Sequence, residues 1–562
     1  MRRLVLTASL SLLLPLTAFA DPTVVSTQKL CGLVGEGIPK VPGQASVGFY
    51  GTDLGYTYKR GSSIEILFGD TWRNENGDPI DPNAPRDDAF GTISLTQFPT
   101  GQSVVTACSQ PTPPAFVTLA TLPGTNVSAP LNPGVPQELG KTPVAAFTTG
   151  NSATAQEFAI FHTSKPWGCL TNTNCQNNMV CDPGLGFAFE EYFDPNGVTI
   201  ACVDNTPGCL NDTMANAFGF PIPGTGFCVD PTSASNQPAG SDNGRISSVV
   251  VRHRIGSRKS NRRDYASQAA QEWHTNRFLN MIATPVNNFA ENRVGTLNDY
   301  TPPDGTVNTS AEKVLMWGRP NYAGVGAIGR QARLYFAYAD RPQADASGNF
   351  TFNRRYFKGL NAAGQPTFSS NEREAVPLLN GATPDESSDY VGQMSIHFFP
   401  ELAGGGRAGR WVMFYSGGES TLPQPLFGLF SCGYLEFLVG LDCGLVNQGN
   451  RSVKMRWAND PWGPWSSPPQ DVLVGGFPGN VSILPNQYGP GGVLRHPTCT
   501  GPGCAPHSSA SIYSPTQEYG VLYGVNIITP WKVPTANGVD VIWNVSSWDP
   551  YNVWLFKTTI NK

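Results

Sequence analysis

The 562-residue chain predicts an all-β fold, a five-bladed β-propeller with a disulfide-rich loop insertion and a short helical insertion. Three observations predict it. Glycine (61) and proline (49) are abundant while charged residues make up only 14%, the profile of many short strands joined by turns. Aromatic residues reach 11% and fall at strand positions, where they fill a sheet core or stack on sugars. Strand–turn–strand units recur along the chain, each an apolar strand, a Gly/polar turn and a second strand rich in Tyr, Phe or Trp. Repeated antiparallel units arranged radially manage their sheet edges as a propeller does; a two-sheet sandwich is the alternative.

The first unit organises the rest. In YGTDLGYTYKRGSSIEILFGDTW (50–72), LGYTY and IEILF flank the turn KRGSS, the pattern of a β-hairpin. A turn centred between Gly61 and Ser62 sets Asp53 opposite Asp70 at the open end. Opposed carboxylates destabilise a ladder and push one pKa up, so a chain that keeps them is a candidate for acid/base chemistry. The alternative is that they splay apart, cap a loop amide or pair with an arginine.

Further units lie at 145–164, 314–340 and 394–418, and a last one at 509–531 is followed by 539–558. Residues 21–45 read as an irregular lead-in, and 46–562 as a single propeller domain. Two insertions interrupt it. Residues 165–230 hold Cys169, Cys175, Cys181, Cys202, Cys209 and Cys228 among Asn, Gly and Pro. Six cysteines imply a stapled outgrowth with fifteen possible connectivities. Cys432 with Cys443 and Cys499 with Cys504 are plausible short bridges, which leaves Cys31 and Cys108 to pair at long range. Residues 252–310 open with six Lys/Arg between Arg252 and Arg263 and continue in a helical pattern. This is a solvated loop and helix start, or a docking patch for an anionic polymer.

Residues 1–20 have the order of a secretory signal, Arg2 and Arg3 before an apolar stretch ending in small residues, with cleavage after Ala20. A secreted or periplasmic protein is expected, with no membrane span and as a monomer. Twelve cysteines then favour disulfides over metal thiolates. A formal charge of −5 argues against nucleic acid as a partner.

Signatures of other hydrolases, nucleotide sites and dinucleotide sites are missing, and a total of six histidines argues against a multi-His metal centre. No cofactor is expected. Asn74, Asn76, Gly77 and Asp78 resemble part of a calcium loop without its closing Glu, so an exposed turn is the better reading and a structural Ca2+ the lesser one. Carboxylates and aromatics remain, the equipment of glycosidic-bond cleavage, in which one acid protonates the departing oxygen and a second carboxylate attacks or activates water. Asp53 and Asp70 are the leading catalytic pair. Trp72, Asp88, Glu386, Asp389, His397, Asp549, Tyr551 and Asn552 are candidates for substrate binding, although most such acids form turns and His397 suits a packed strand. WANDPWGPWSS (457–467), with Asp460, Gly463 and Trp465, is nearly the Asp-turn-Trp signature of sialidase-type propellers and reads as a turn staple.

At GTDLGYTYKRGSSIEILFGDTW the chain resembles the domain-of-unknown-function family 4185, supported by VLMWGRP, ARLYFAYAD, GRWVMFYSGG, NDPWGPWSSP and SSWDPYNVWLFKT between about residues 47 and 558. The resemblance implies a five-bladed propeller. Part of that family is similar to the endo-D-arabinanases of glycoside hydrolase family 183, which cut arabinofuranosyl polymers. Carried over by motif, the catalytic aspartates are Asp53 in GTDLG and Asp70 in FGDTW. Neither insertion belongs to the common pattern. The expected function is therefore an exported glycoside hydrolase, endo-acting on a furanose-rich polysaccharide such as arabinan. The alternative is a non-catalytic glycan-binding or cell-envelope interaction propeller.

Overall fold

The computed structural model describes residues 21–35, 38, 51–71, 87–119, 139–150, 156–164, 180–182, 227–229, 246–252, 271–274, 278, 280–286, 312–319, 334–344, 350–379, 391–417, 452–473, 522–547 and 552–562. The chain is all-β with one α-helix among these residues, in a β-propeller arrangement.

Strand β1 (Thr23–Gly35) opens the chain. The first sheet is β2 (Leu54–Arg60), β3 (Ser63–Thr71), β4 (Asp87–Ser94) and β5 (Thr118–Leu119), with helix α1 (Gly101–Cys108) between the last two. The second is β6 (Leu139–Thr149), β7 (Gln156–Ser164), β10 (Ile246–Arg252) and β11 (Gln271–His274), interrupted by the ribbon β8 (Val180–Asp182) with β9 (Phe227–Val229). The third is β12 (Asn280–Val286), β13 (Lys313–Arg319), β14 (Tyr335–Asp340), β17 (Arg354–Leu360) and β18 (Pro366–Ser369), with the ribbon β15 (Gln343–Ala344) and β16 (Phe350–Thr351). The fourth is β19 (Met394–Phe399), β20 (Arg410–Gly417), β21 (Ser452–Ala458) and β22 (Gln470–Leu473). The fifth is β23 (Leu522–Ile527), β25 (Gly538–Ser547) and β26 (Asn552–Asn561), with β24 (Val533–Thr535) beside β25 and β1 completing it against β26.

The first strands of the sheets adjoin one another in a closed order, β2 to β6, β12, β19, β23 and back to β2. The cores explain why. Successive side chains of a strand point to opposite faces, and here both faces are apolar, as strands buried on two sides require. On β20, Trp411, Met413 and Tyr415 pack with Trp317, Phe336 and Ile396 of the third and fourth sheets. The alternate residues Val412 and Phe414 pack with Val541 and Trp543 of the fifth. Three further cores join the second sheet to the third, the first to the second, and the fifth to the first. Each sheet is thus buried between two neighbours, which is the physical content of the strand pattern.

Several expectations are corrected. The 21–45 lead-in is not irregular: it contains β1, which pairs antiparallel with β26 from Thr23↔Asn561 to Gly35↔Asn552. The partner lies at the far end of the chain, so no local turn announces the pairing. Within 252–310, Gln271–His274 and Asn280–Val286 are strands, and β12 is the innermost strand of the third sheet rather than part of a helical insertion. Tertiary pairing overrides helix propensity there. The described helix is α1 instead, and it carries a capping box. Ser103 N donates to Thr100 Oγ1 at 3.2 Å, and Thr100 N donates to Ser103 Oγ at 3.2 Å.

Cys31 on β1 and Cys108 at the end of α1 form a disulfide, the long-range pairing expected from the remaining cysteines. The WAND turn is a packed staple: Trp462 and Trp465 are buried, Gly463 N donates to Asp460 O, and Trp317 Nε1 donates to Pro461 O at 2.7 Å. Residues 1–20, the suggested calcium loop, and Cys169, Cys175, Cys202, Cys209, Cys432, Cys443, Cys499 and Cys504 lie outside the described residues.

Candidate functional site

The β2–β3 hairpin forms about Gly61–Ser62, with Arg60↔Ser63, Tyr58↔Glu65 and Tyr56↔Leu67 paired as the sequence register predicts. Gly61 adopts φ +55°, a conformation glycine takes without a Cβ penalty. The register then slips: a bulge between Leu54 and Tyr56 sets Leu54 against Phe68. Asp53 therefore does not face Asp70. It faces Gly69, whose N–H donates to Asp53 O at 3.2 Å. Asp70 is instead the ladder partner of Asp88 across β3 and β4, after a second irregularity between Phe68 and Asp70. Sequence arithmetic assumes one residue opposite one, and a bulge puts two opposite one.

The slip gathers rather than disperses the acids. Asp53, Asp70 and Asp88 occupy the same end of the first sheet, at the start of β2, the end of β3 and the start of β4. Thr52 Oγ1 and Thr71 Oγ1 meet at 2.9 Å beside them, both buried. A Cβ on Gly69 would stand 2.3 Å from Asp53 Oδ1, so the carboxylate lies directly over this glycine. Asp53 is only 7% exposed.

Leu54, next to Asp53, has φ +64° and is the one non-glycine residue with positive φ among the described residues. A leucine in this left-handed region costs about 1–2 kcal/mol. Such strain persists only where surroundings over-determine it, and it concentrates at functional sites. Gly55 follows at φ +83°. Together they build the bulge that turns Asp53 away from the ladder position the sequence predicts.

Other strands bring polar groups to this end. Asn280 begins β12 and Gln393 immediately precedes β19, both buried. Gln393 Oε1 accepts from Gly524 N in β23. Asn526 Nδ2 donates to Thr57 Oγ1 at 2.7 Å and to Asn544 Oδ1 at 3.2 Å, and Ser395 Oγ accepts from Ile527 N at 2.9 Å. These residues escape a search for acids and aromatics. Their signal is a polar residue recurring within otherwise apolar first strands.

Asn552 starts β26, is fully buried, and packs against Gly35, where a Cβ would stand 2.0 Å from Asn552 Oδ1. It is a packing residue of the β1–β26 closure rather than an exposed sugar contact. His397 lies along β19 with its Nε2 shielded and no hydrogen bond to it. Burial, with Lys532 adding to it, pushes the imidazole down to about 3, so it is neutral and part of the sheet packing. Trp72, Glu386, Asp389, Asp549 and Tyr551 lie outside the described residues.

Two buried carboxylates absent from the sequence candidates serve the opposite ends of the strands. Glu157 accepts from Tyr58 Oη at 2.8 Å and pairs with Arg60 Nε at 2.6 Å, tying the second sheet to the first. Glu312 accepts from Gly150 N at 2.9 Å and pairs with Arg341 Nε at 3.4 Å; burial raises its pKa, partly opposed by those two groups. Among the described residues no group of three potential metal ligands occurs, and no helix is long and apolar enough to cross a membrane.

No family model matches the chain, and no curated protein matches it. Among solved structures it is similar to a mutant of Trypanosoma rangeli sialidase displaying trans-sialidase activity, at 7% identity and a TM-score of 0.30 over 96% of this chain. It is also similar to Trypanosoma rangeli sialidase in complex with sialic acid, at 6% identity and a TM-score of 0.29 over 96% of this chain. The chain spans 59% of the length of each of those chains.

Proposed function

We propose that this chain is an exported glycoside hydrolase whose active site is the end of the strand ring marked by Asp53, with Asp70 and Asp88 beside it. The observation that carries the reading is the convergence of three aspartates on that end, one of them placed by the strained Leu54. One carboxyl protonates the departing glycosidic oxygen while another attacks the sugar or activates water. The substrate is a furanose-rich polysaccharide cut internally, arabinan by the sequence resemblance, with Asp53 and Asp70 as the catalytic pair and Asp88 binding substrate. Each of the five sheets is read as one propeller blade, a count supported by the closed order of first strands and by the apolar core between each neighbouring pair.

The cysteine-rich insertion at 165–230 is read as stapled at its base by Cys181 and Cys228. Antiparallel β8 and β9 set these two opposite each other, at a backbone separation a disulfide spans. Peptide mapping under non-reducing conditions is expected to recover them in one linked pair.

The direct test is to incubate the purified protein with arabinans, galactans and other cell-wall glycans and to profile released oligosaccharides. Asp53→Asn and Asp70→Asn are expected to abolish cleavage with the fold intact. Retained turnover in both variants sinks the assignment, and tight retention of glycan without new reducing ends identifies a binding propeller instead.

A further inference from the structure

Leu54 holds its left-handed conformation against an intrinsic penalty, and the contacts that hold it come from the fifth sheet. Its carbonyl oxygen accepts two hydrogen bonds from β25, from Asn544 Nδ2 at 3.1 Å and from Ser546 Oγ at 3.2 Å. Both donors are completely buried. Asn544 is itself oriented: its Oδ1 is occupied by Asn526 Nδ2 at 3.2 Å, which commits the amide's Nδ2 to Leu54.

The backbones interlock at the same place. Gly524 of β23 has φ +65° within a register shift between Tyr523 and Asn526. A Cβ there would stand 2.8 Å from Leu54 Cα, so only glycine allows this approach. Gly55 is likewise closed in, with Asn544 Nδ2 at 2.8 Å from where its Cβ would be. Two bulges, one per sheet, thus nest against each other, and Gln393 of the fourth sheet fixes the Gly524 N–H.

We infer that Asn544 and Ser546 are positioning residues for Asp53: by clamping the Leu54 carbonyl they keep the bulge that lays the Asp53 carboxylate over Gly69. Neither touches the reacting atoms. Their effect passes through one residue: the clamped Leu54 carbonyl fixes the 54–55 peptide, and the Leu54 φ of +64° carries that constraint to the peptide it shares with Asp53. The inference rests on the reading of Asp53 as a catalytic carboxylate. Misplacing a reacting group by about 1 Å costs on the order of 100-fold in rate, so a clamp two sheets wide has a kinetic signature that stability alone lacks.

The experiment compares wild type with Ser546→Ala, Asn544→Ala and the double variant. It measures kcat and KM on arabinan, the pH profile of kcat, and amide exchange at the peptide spanning 52–56 and at the Gly69 N–H. The double variant is expected to lose about 10- to 100-fold in kcat with KM within about twofold, to shift a limb of the pH profile, and to exchange faster at Gly69. Unchanged kcat and pH profile in a folded double variant overturn the clamp while leaving the hydrolase reading intact. If wild type cleaves no glycan, that reading falls, and exchange alone decides the clamp: faster exchange at Gly69 supports it, unchanged exchange refutes it. Should the double variant not fold, Ser546→Ala, which removes one hydroxyl, replaces it in every measurement, and the same outcomes support or overturn the clamp.

Discussion

The Cys31–Cys108 disulfide joins β1, the strand that closes the fifth sheet, to the helix that follows β4 of the first. Its removal offers a quantitative test of how the ring is held shut. The bridge spans 77 residues, and the chain-entropy relation assigns a loop of that length about 4.5 kcal/mol at 25 °C. Both sulfurs are buried in the same apolar core, where each packs for about 1 kcal/mol more. Cys31→Ala alone then costs about 5.5 kcal/mol, as does Cys108→Ala, because either substitution breaks the bond. The double variant costs only about 6.5 kcal/mol, since the cross-link is lost once. The cycle is therefore sub-additive by about 4.5 kcal/mol. Equilibrium unfolding in urea, followed by the fluorescence of the twelve tryptophans, reads all four proteins. Single costs that simply add, or a double variant within about 1 kcal/mol of wild type, refute the reasoning and leave closure to the β1–β26 ladder.

Gly69→Ala sets a methyl group 2.3 Å from Asp53 Oδ1 and 2.7 Å from Leu54 Cδ1. It is expected to cost about 1–3 kcal/mol from overpacking and to lower kcat more than it raises KM; normal kinetics with a normal Tm count against Asp53. His397 has a folded pKa below its unfolded value, so the unfolded chain takes up a proton that the fold refuses between about pH 6.5 and 3. Its contribution is full above pH 6.5 and falls as pH drops, by at most about 1.4 kcal/mol per pH unit. His397→Gln is expected to flatten that slope in thermal melts from pH 7 to 4.5, and an unchanged slope rejects the assignment. Trp317→Phe deletes the bond to Pro461 O and is expected to cost about 1–3 kcal/mol in urea unfolding; a loss below about 0.3 kcal/mol shows that this bond does not hold the WAND turn, which then rests on ring packing and on its own hydrogen bonds such as Gly463 N to Asp460 O.

Much of the architecture is legible because local signals carry it. KRGSS between two β-branched and aromatic runs specifies a two-residue turn, and the Arg60↔Ser63 pairing follows from it. The units at 145–164 and 394–418 are the inner strand pairs β6–β7 and β19–β20. The unit at 314–340 is displaced by one strand. It is β13–β14, and the inner strand β12 hides in residues whose polar flanks suggest an insertion. Helix α1 is missed because eight residues are too short for a clear apolar period, although the Thr100/Ser103 box marks its start.

The sequence by itself determined an all-β chain of aromatic, turn-joined strands, the hairpin turn and the small set of aspartates worth weighing. Those properties depend on neighbours a few residues apart, where period, turn chemistry and charge are written directly into the chain. Only the tertiary structure decided that Asp53 opposes Gly69, that Asp70 pairs with Asp88, and that β1 closes against β26. A bulge is a residue without a partner, and it becomes visible only when the opposite strand is in place. The donors that hold this one open, Asn544 and Ser546, lie 490 and 492 residues away from Leu54.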